Sequence, residues 1–325
     1  MSQLNVDTIK KADGTGNLSV PAETGTVVTT ASPSLGRRNL IINGAMQVAQ
    51  RGTSFTATGS YQYGSLDRWK SSYSSDDTYA QVAADVDGYG GKALRITTGG
   101  SGSTYALQVV ENPVSVNKKT ITLSWWAKAS ATFSQYVYVK RSSGGSLYLD
   151  TSFTNVTTSW QQFSVTMSGL ETTELGSDNI EVHIGFNATA TSDTYDLTMV
   201  QLEAGSVASS YEHRSYGEEL ALCERYFQTY GRTNGSESRL IGSKNGGTTA
   251  LTGLHFRTVM RASPSLNFFG SNTDGGSFNT YCNGSATAST SWTSGYTAPH
   301  GAFMNFNSTT GSTDSAAWLD HCRPA

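Results

Sequence analysis

The run Thr120-Ile121-Thr122-Leu123-Ser124-Trp125-Trp126-Ala127-Lys128 decides the fold class, because apolar Ile121, Leu123, Trp125 and Ala127 alternate there with Thr122, Ser124, Trp126 and Lys128. A period of two puts the two sets on opposite faces of a strand, one buried and one wet. The alternation recurs at residues 80–83, 93–97, 136–140, 160–167, 180–186 and 195–203. Leu40-Ile41-Ile42-Asn43-Gly44 reads as a further apolar strand ending in a turn, which makes eight strands with no helix between them. The pattern predicts an all-β chain, with a jelly-roll β-sandwich over residues 37–212. The Gly-rich stretches 88–91 and 99–102 follow no strand-to-helix switch and read as turns.

Outward from this block the pattern changes. Ser215-Tyr216-Gly217-Glu218 has the form of a capping box, and Leu220, Cys223, Phe227 and Tyr230 follow on one helical face. A connecting helix is expected over 213–230, lying against the sandwich or forming a seam between several chains. Residues 231–325 return to strands and turns (251–257, 265–269, 302–306 and 316–319) and predict a second, smaller C-terminal β-domain. Residues 1–36 hold two short strand-like pieces among Gly, Asp, Pro and Ser. They are too short for a core of their own and read as a flexible tail or an extended N-terminal arm.

Only 14% of the 325 residues are charged, and the net charge is −3. No basic cluster exceeds two residues, so no phosphate-neutralising surface for nucleic acid is expected, and no apolar run reaches membrane-spanning length. Met1–Asn5 lacks the basic start and apolar segment of a signal peptide, and three scattered cysteines predict buried thiols in a reducing cytoplasm.

Catalytic motifs are absent: there is no phosphate loop, HExxH, GxSxG or CxxC, and the carboxylate pairs Asp76-Asp77 and Glu218-Glu219 read as a solvated turn and a helix start. The expectation is a binding protein, not an enzyme. Tyr61, Tyr63, Tyr73, Tyr79 and Tyr89 crowd among Ser, Asp and Gly, a palette that either makes a binding surface or covers a sandwich end. Within Asp67-Arg68-Trp69, the indole either anchors a corner between sheets or stacks on a sugar ring. The candidate ligand-binding residues are therefore Tyr61, Tyr63, Trp69 and Tyr73. Asn43, Asp67, Asp196 and Glu203 are the oxygen donors that a structural calcium would take.

Residues 37–54, from Arg37-Arg38-Asn39-Leu40-Ile41-Ile42-Asn43-Gly44-Ala45-Met46-Gln47, resemble bacteriophage tail-fibre proteins. Asp67-Arg68-Trp69, Val200–Ala208 and Tyr211–Gln228 are similar to further landmarks in the same order. The resemblance implies a homotrimeric virion appendage assembled in the host cytoplasm, with residues 1–36 docking to other tail proteins, as in marine and cyanobacterial phage fibres. It implies attachment to a bacterial surface glycan or lipopolysaccharide by multivalent adhesion, with the C-terminal domain as the tip. The near-neutral charge and the abundant Tyr, Trp, Asn and Ser suit uncharged glycans. A collar, adaptor or decoration protein and a polysaccharide depolymerase are the rival roles. The sandwich also resembles carbohydrate-binding modules that begin Asn-Gly-x-Phe-Glu. Here Met46 and Gln47 replace Phe and Glu, which removes a carboxylate from that family's calcium site.

Overall fold

The alternation around Trp125 is realised as a strand in the computed structural model, which describes residues 37–72, 76–86, 88–111, 120–142, 147–167, 179–230, 240–245, 249–266, 278–282, 285–308 and 316–320. The expected arm (1–36) and Tyr73 lie outside these residues. Ten strands precede the helix: β1 (Ser54–Thr56), β2 (Thr78–Val86), β3 (Tyr89–Thr97), β4 (Gly102–Val110), β5 (Ile121–Ala129), β6 (Phe133–Arg141), β7 (Leu147–Val156), β8 (Gln161–Met167), β9 (Ile180–Ala188) and β10 (Thr194–Ala204). They form two antiparallel sheets, β1-β2-β3-β10-β5-β8 and β4-β9-β6-β7. From β3 onward the chain changes sheet at almost every connection, as a jelly-roll sandwich requires.

The core lies between the sheets. Ile121, Leu123, Trp125 and Ala127 face Ile180, Val182, Ile184 and Phe186 in one buried cluster, with Trp125 stacked on Phe163 and Phe186 on Tyr195. Gln135 is buried among them and accepts hydrogen bonds from Trp125 Nε1 (3.3 Å) and the Tyr195 hydroxyl (3.0 Å). In β10 the inward set changes from Tyr195 and Leu197 to Val200 and Leu202. A bulge between Thr198 and Gln201, where Met199 takes φ +50°, makes that switch.

Three expectations are corrected here. Leu40-Ile41-Ile42 is not a strand. Side chains replace a neighbouring strand along most of it: Glu212 accepts from the Arg38 and Asn39 amides, Asn39 Oδ1 from Ile41, and Gln108 Oε1 from Ile42, while Arg214 donates to the Asn39 and Ile41 carbonyls. β1, β4 and β7 fall where no strand is expected, and of the two Gly-rich stretches Tyr89–Gly91 opens β3 and Gly102 opens β4, leaving Gly88 and Gly99–Ser101 outside the strands.

The helix is shorter than its periodicity. It starts as expected, with Ser215 as N-cap accepting from Glu218 N at 3.3 Å, but α1 spans Tyr216–Glu224. The Gln228 side-chain amide donates to the Glu224 carbonyl (3.0 Å) and to Thr258 O (2.7 Å), so a side chain satisfies a terminal carbonyl where a further helical turn would. Within α1, Glu219 is buried and accepts from the Asn43 amide, with Arg214 Nη1 at 3.5 Å. Asn43 holds φ +58°, and its side chain bonds Val48 N and O and Asp67 O. A Cβ on Gly44 would lie 2.2 Å from Val200 O, so only glycine lets this segment reach β10.

Beyond the helix, β11 (Leu240–Asn245), β12 (Thr249–His255), β13 (Phe278–Cys282), β14 (Ser285–Ala298), β15 (Gly301–Ser308) and β16 (Ala316–Asp320) close into an antiparallel barrel, ordered β11-β12-β15-β14-β13-β16. Closure leaves no sheet edge. The smaller C-terminal β-domain is thus present; Ser265 and Leu266 lie in no strand, and the rest of that expected strand falls outside the described residues. Cys223 is a buried free thiol.

The adjacent glutamates of α1 should differ sharply. Glu219→Ala leaves the buried Asn43 amide without its acceptor and removes the carboxylate facing Arg214, and should cost about 3–5 kcal/mol. Glu218→Ala should cost under about 1 kcal/mol. Urea unfolding measures both, and equal losses would contradict this role for Glu219.

Candidate functional site

On β9 the core takes Ile180, Val182, Ile184 and Phe186, so Glu181, His183 and Gly185 face outward. Their register partners share that face. Tyr105, Gly185 and Tyr136 form one cross-strand row; Leu107, His183 and Tyr138 form the next; Val109, Glu181 and Lys140 form a third. The rings touch: Tyr105 to His183 at 4.9 Å, Tyr136 to Tyr138 at 5.1 Å, Tyr105 to Tyr136 at 6.1 Å and Tyr138 to His183 at 6.3 Å between centroids. Edge-to-face contacts at these distances hold rings in fixed orientations. Gly185 makes the arrangement possible, since a Cβ there would lie 2.0 Å from Thr104 O and 2.5 Å from Tyr105 Cβ.

The loop between β1 and β2 widens this face. Lys70 and Leu107 exchange backbone hydrogen bonds (2.9 and 3.1 Å), and Tyr63 bridges to Lys70. The second row therefore runs Tyr63, Lys70, Leu107, His183, Tyr138, roughly 19 Å across at the usual strand spacing. Tyr61 and Tyr63 are 43% and 38% exposed, and the Tyr105 hydroxyl lies 3.4 Å from that of Tyr61. Tyr61 sits at φ +56°, pinned by its amide on Ser72 O (3.1 Å). Lys70 Nζ lies 5.0 Å from the Tyr63 ring centre.

Polar groups border the rings. Glu181 Oε2 lies 3.1 Å from His183 Nε2 and 3.3 Å from Lys140 Nζ. The His183 hydrogen bond and then the Lys140 charge hold the Glu181 carboxyl below its ordinary range, against the opposing effect of burial. Burial pushes the Tyr105 and Tyr136 hydroxyls far above theirs, so both remain protonated donors. Among the described residues the Tyr136 hydroxyl has no partner at bonding distance, Ser103 pulling on it only weakly. The arrangement offers apolar ring faces with hydrogen-bonding groups between them, which suits molecules that alternate C–H faces with hydroxyls.

Of the expected ligand residues, Tyr61 and Tyr63 meet at this face and Tyr73 lies outside the described residues. Trp69 is corrected: it is 3% exposed, packs in the core and donates from Nε1 to Asn43 O at 3.0 Å, so it offers no platform. Tyr79 is likewise buried, its hydroxyl bonded to Ser72 and to Tyr105 O. Sequence reading missed Tyr105, Tyr136, Tyr138 and His183. The available signal was Tyr136 and Tyr138 on the wet parity of one strand, beside core residues Val137 and Val139.

The four expected calcium donors do not converge. Asn43 Oδ1 accepts from Val48 N, the Asp67 carboxylate accepts from Gln50 at 2.5 and 3.0 Å, Asp196 binds Arg95 in bidentate fashion (2.7 and 2.8 Å), and Glu203 accepts from Gln201 and Ser209. Asp196 and Glu203 stand seven positions apart on β10, roughly 20 Å. Among the described residues no cluster of three His, Cys, Asp or Glu is placed to hold a metal.

No family model and no curated protein matches the chain. Solved structures that are similar include a protein from Bacteroides thetaiotaomicron described as sugar binding (13% identity, 52% of this chain and 100% of that chain, TM-score 0.37). A CBM22-1 xylan-binding domain of Paenibacillus barcinonensis Xyn10C is another (15%, 48% and 94%, 0.34). The enzymatically active domain of tailspike protein 4 of bacteriophage CBA120 is a third (11%, 51% and 21%, 0.34).

The Glu181 contacts imply an acid response. A carboxyl lowered by folding stabilises the fold above its ordinary pKa of 4.5, and that stability is lost as the pH falls through the folded value. The stability difference between wild type and Glu181→Gln should be present at about pH 7 and smaller at about pH 3. Urea unfolding at both pH values checks it, and an undiminished gap in acid would contradict the pairing.

Proposed function

We propose that this chain is a glycan-binding subunit of a bacteriophage tail appendage and attaches the particle to a bacterial surface. The observation that carries the glycan reading is the aromatic outer face of the four-stranded sheet, where Tyr61, Tyr63, Tyr105, Tyr136, Tyr138 and His183 lie side by side. Tyr61 and Tyr63 are exposed and Tyr105 and Tyr138 half-buried, while His183 and Tyr136 are buried and serve to hold them; exposed rings held rigid in this way give contact area at little entropic cost. The span of the face suits several sugar units of a polysaccharide. The tail-appendage reading is supported by the sequence motifs at 37–54, 67–69, 200–208 and 211–228. In this reading the chain is a homotrimer, residues 1–36 dock to other tail proteins, and weak sites act together through avidity.

In this reading the receptor contact lies on the sandwich and not on the C-terminal tip. Attachment there is adhesion without bond cleavage. Reducing ends released from capsule or lipopolysaccharide by the purified protein would contradict that.

In the full chain, Tyr61→Ala and Tyr138→Ala should each weaken binding to host surface polysaccharide at least tenfold, about 1.4 kcal/mol, with the melting temperature little changed for exposed Tyr61. Light scattering should give the mass of a trimer. A folded trimer that binds no envelope fraction would favour a collar or adaptor role instead.

A further inference from the structure

A concavity adjoins the aromatic rows at Tyr63. Between residues 51–68 of the sandwich and the segments 223–227 and 260–264 the chain leaves a cleft of about 290 Å³. Four arginines line it, Arg51, Arg68, Arg225 and Arg261, against two carboxylates, Asp67 and Glu111. A chain with net charge −3 thus concentrates a surplus of two positive charges in one hollow. The carboxylates are already engaged. Asp67 accepts twice from Gln50 and meets Arg51 only at 3.9 Å, and Glu111 accepts from the Tyr226 hydroxyl (3.0 Å) and pairs with Arg261 (3.1 Å).

Two of the four guanidinium groups are held by rings. Arg51 stacks 3.4 Å from the Phe227 centre and Arg68 3.5 Å from that of Tyr226. Stacking fixes the plane of an arginine and leaves its N–H edge for a planar or tetrahedral anion. Arg68 is 5% exposed and donates from Nη2 to Val109 O (2.6 Å), yet among the described residues its buried Nε has no hydrogen-bond partner. Arg68 also holds φ +73°, a conformation that costs a non-glycine residue free energy. That Nε is closed to the cleft, so the donors an anion can reach are those of Arg51, Arg225 and Arg261, with Arg68 supplying positive charge behind them. Tyr63, Tyr226 and Phe227 supply apolar walls. The volume lies at the small end of ligand sites, enough for one compact unit and not for a chain of them.

We propose that this cleft binds the carboxylate or phosphate of an acidic sugar residue. The anion is called for by the cleft alone; that a sugar carries it rests on the glycan-binding reading. The cleft meets the sheet face at Tyr63 and adds an anion point to it, selecting polysaccharides that carry a negative unit.

The test is titration of the full chain with glucuronate, glucose 6-phosphate, methyl glucoside and inorganic phosphate, read by calorimetry. Glucuronate or glucose 6-phosphate should bind at least tenfold tighter than methyl glucoside, and the affinity should fall with added salt. The exposed pair Arg225→Gln/Arg261→Gln should lose that binding at least tenfold while melting like wild type, and Tyr138→Ala should keep it. Equal binding of methyl glucoside, no binding of either acidic sugar, or an unaffected double variant would overturn the proposal. Inorganic phosphate binding as tightly as glucose 6-phosphate would overturn its sugar part. Loss of acidic-sugar binding in Tyr138→Ala, with the arginine pair silent, would place that ligand on the sheet face and not in the cleft.

Discussion

The buried carboxylate of Glu219 is the constraint on which the arrangement of the sandwich depends. It accepts the Asn43 amide and faces Arg214, which in turn holds the Asn39 and Ile41 carbonyls. A carboxylate removed from water is tolerated only when charge and hydrogen bonds compensate it. Here the hydrogen bond comes from distant Asn43, and the charge from Arg214, five residues before Glu219, which also binds the entry segment, so the helix and the entry segment can be satisfied only together. Asn43 passes the constraint on: its side chain fixes Val48 and Asp67, and its carbonyl receives the Trp69 indole. With Trp69 seated, Lys70 pairs with Leu107, and the loop carrying Tyr61 and Tyr63 lies along the edge of the four-stranded sheet. A buried charge on the helix is in this way linked to the position of exposed rings on the far edge of a sheet.

The stretches that resemble tail-fibre proteins meet in this polar network. Asn39, Asn43, Asp67, Trp69, Gln201, Glu203, Glu212, Arg214 and Glu219 are drawn from four separate motifs and bond to one another or to each other's backbone. Their residue types follow from that work. Asn43 tolerates a left-handed backbone while offering both a donor and an acceptor. Gly44 must lack a Cβ against Val200 O. These residues hold the fold together, and Trp69 among them is buried in the core.

Legibility followed burial. Strands β5, β6, β8, β9 and β10 could be read because one face is apolar and one polar. Strand β4 could not: its outward Leu107 is covered by the docked loop, so burial on both faces erased the alternation. β14, Ser285–Ala298, is too rich in Ser and Thr to show a period at all. Leu40-Ile41-Ile42 had strand propensity, but side-chain partners took over most of its backbone, and Gln228 ended a helix whose spacing continued. Tyr61 and Tyr63 were visible as a local cluster. Tyr105, Tyr136, Tyr138 and His183 become one surface only through strand register, which joins residues tens of positions apart and leaves no local signature.

The two proposals put two chemistries side by side on one chain, an aromatic face proposed for neutral sugar rings and an arginine-lined cleft proposed for a charged one. The central claim concerns the first. A crystal structure of the full chain bound to an oligosaccharide from a host surface polysaccharide tests it most directly. The account predicts sugar rings lying across Tyr61, Tyr105 and Tyr138 on the outer face of β4, β9 and β6. Sugar bound solely to the C-terminal barrel, with that face bare, would contradict it.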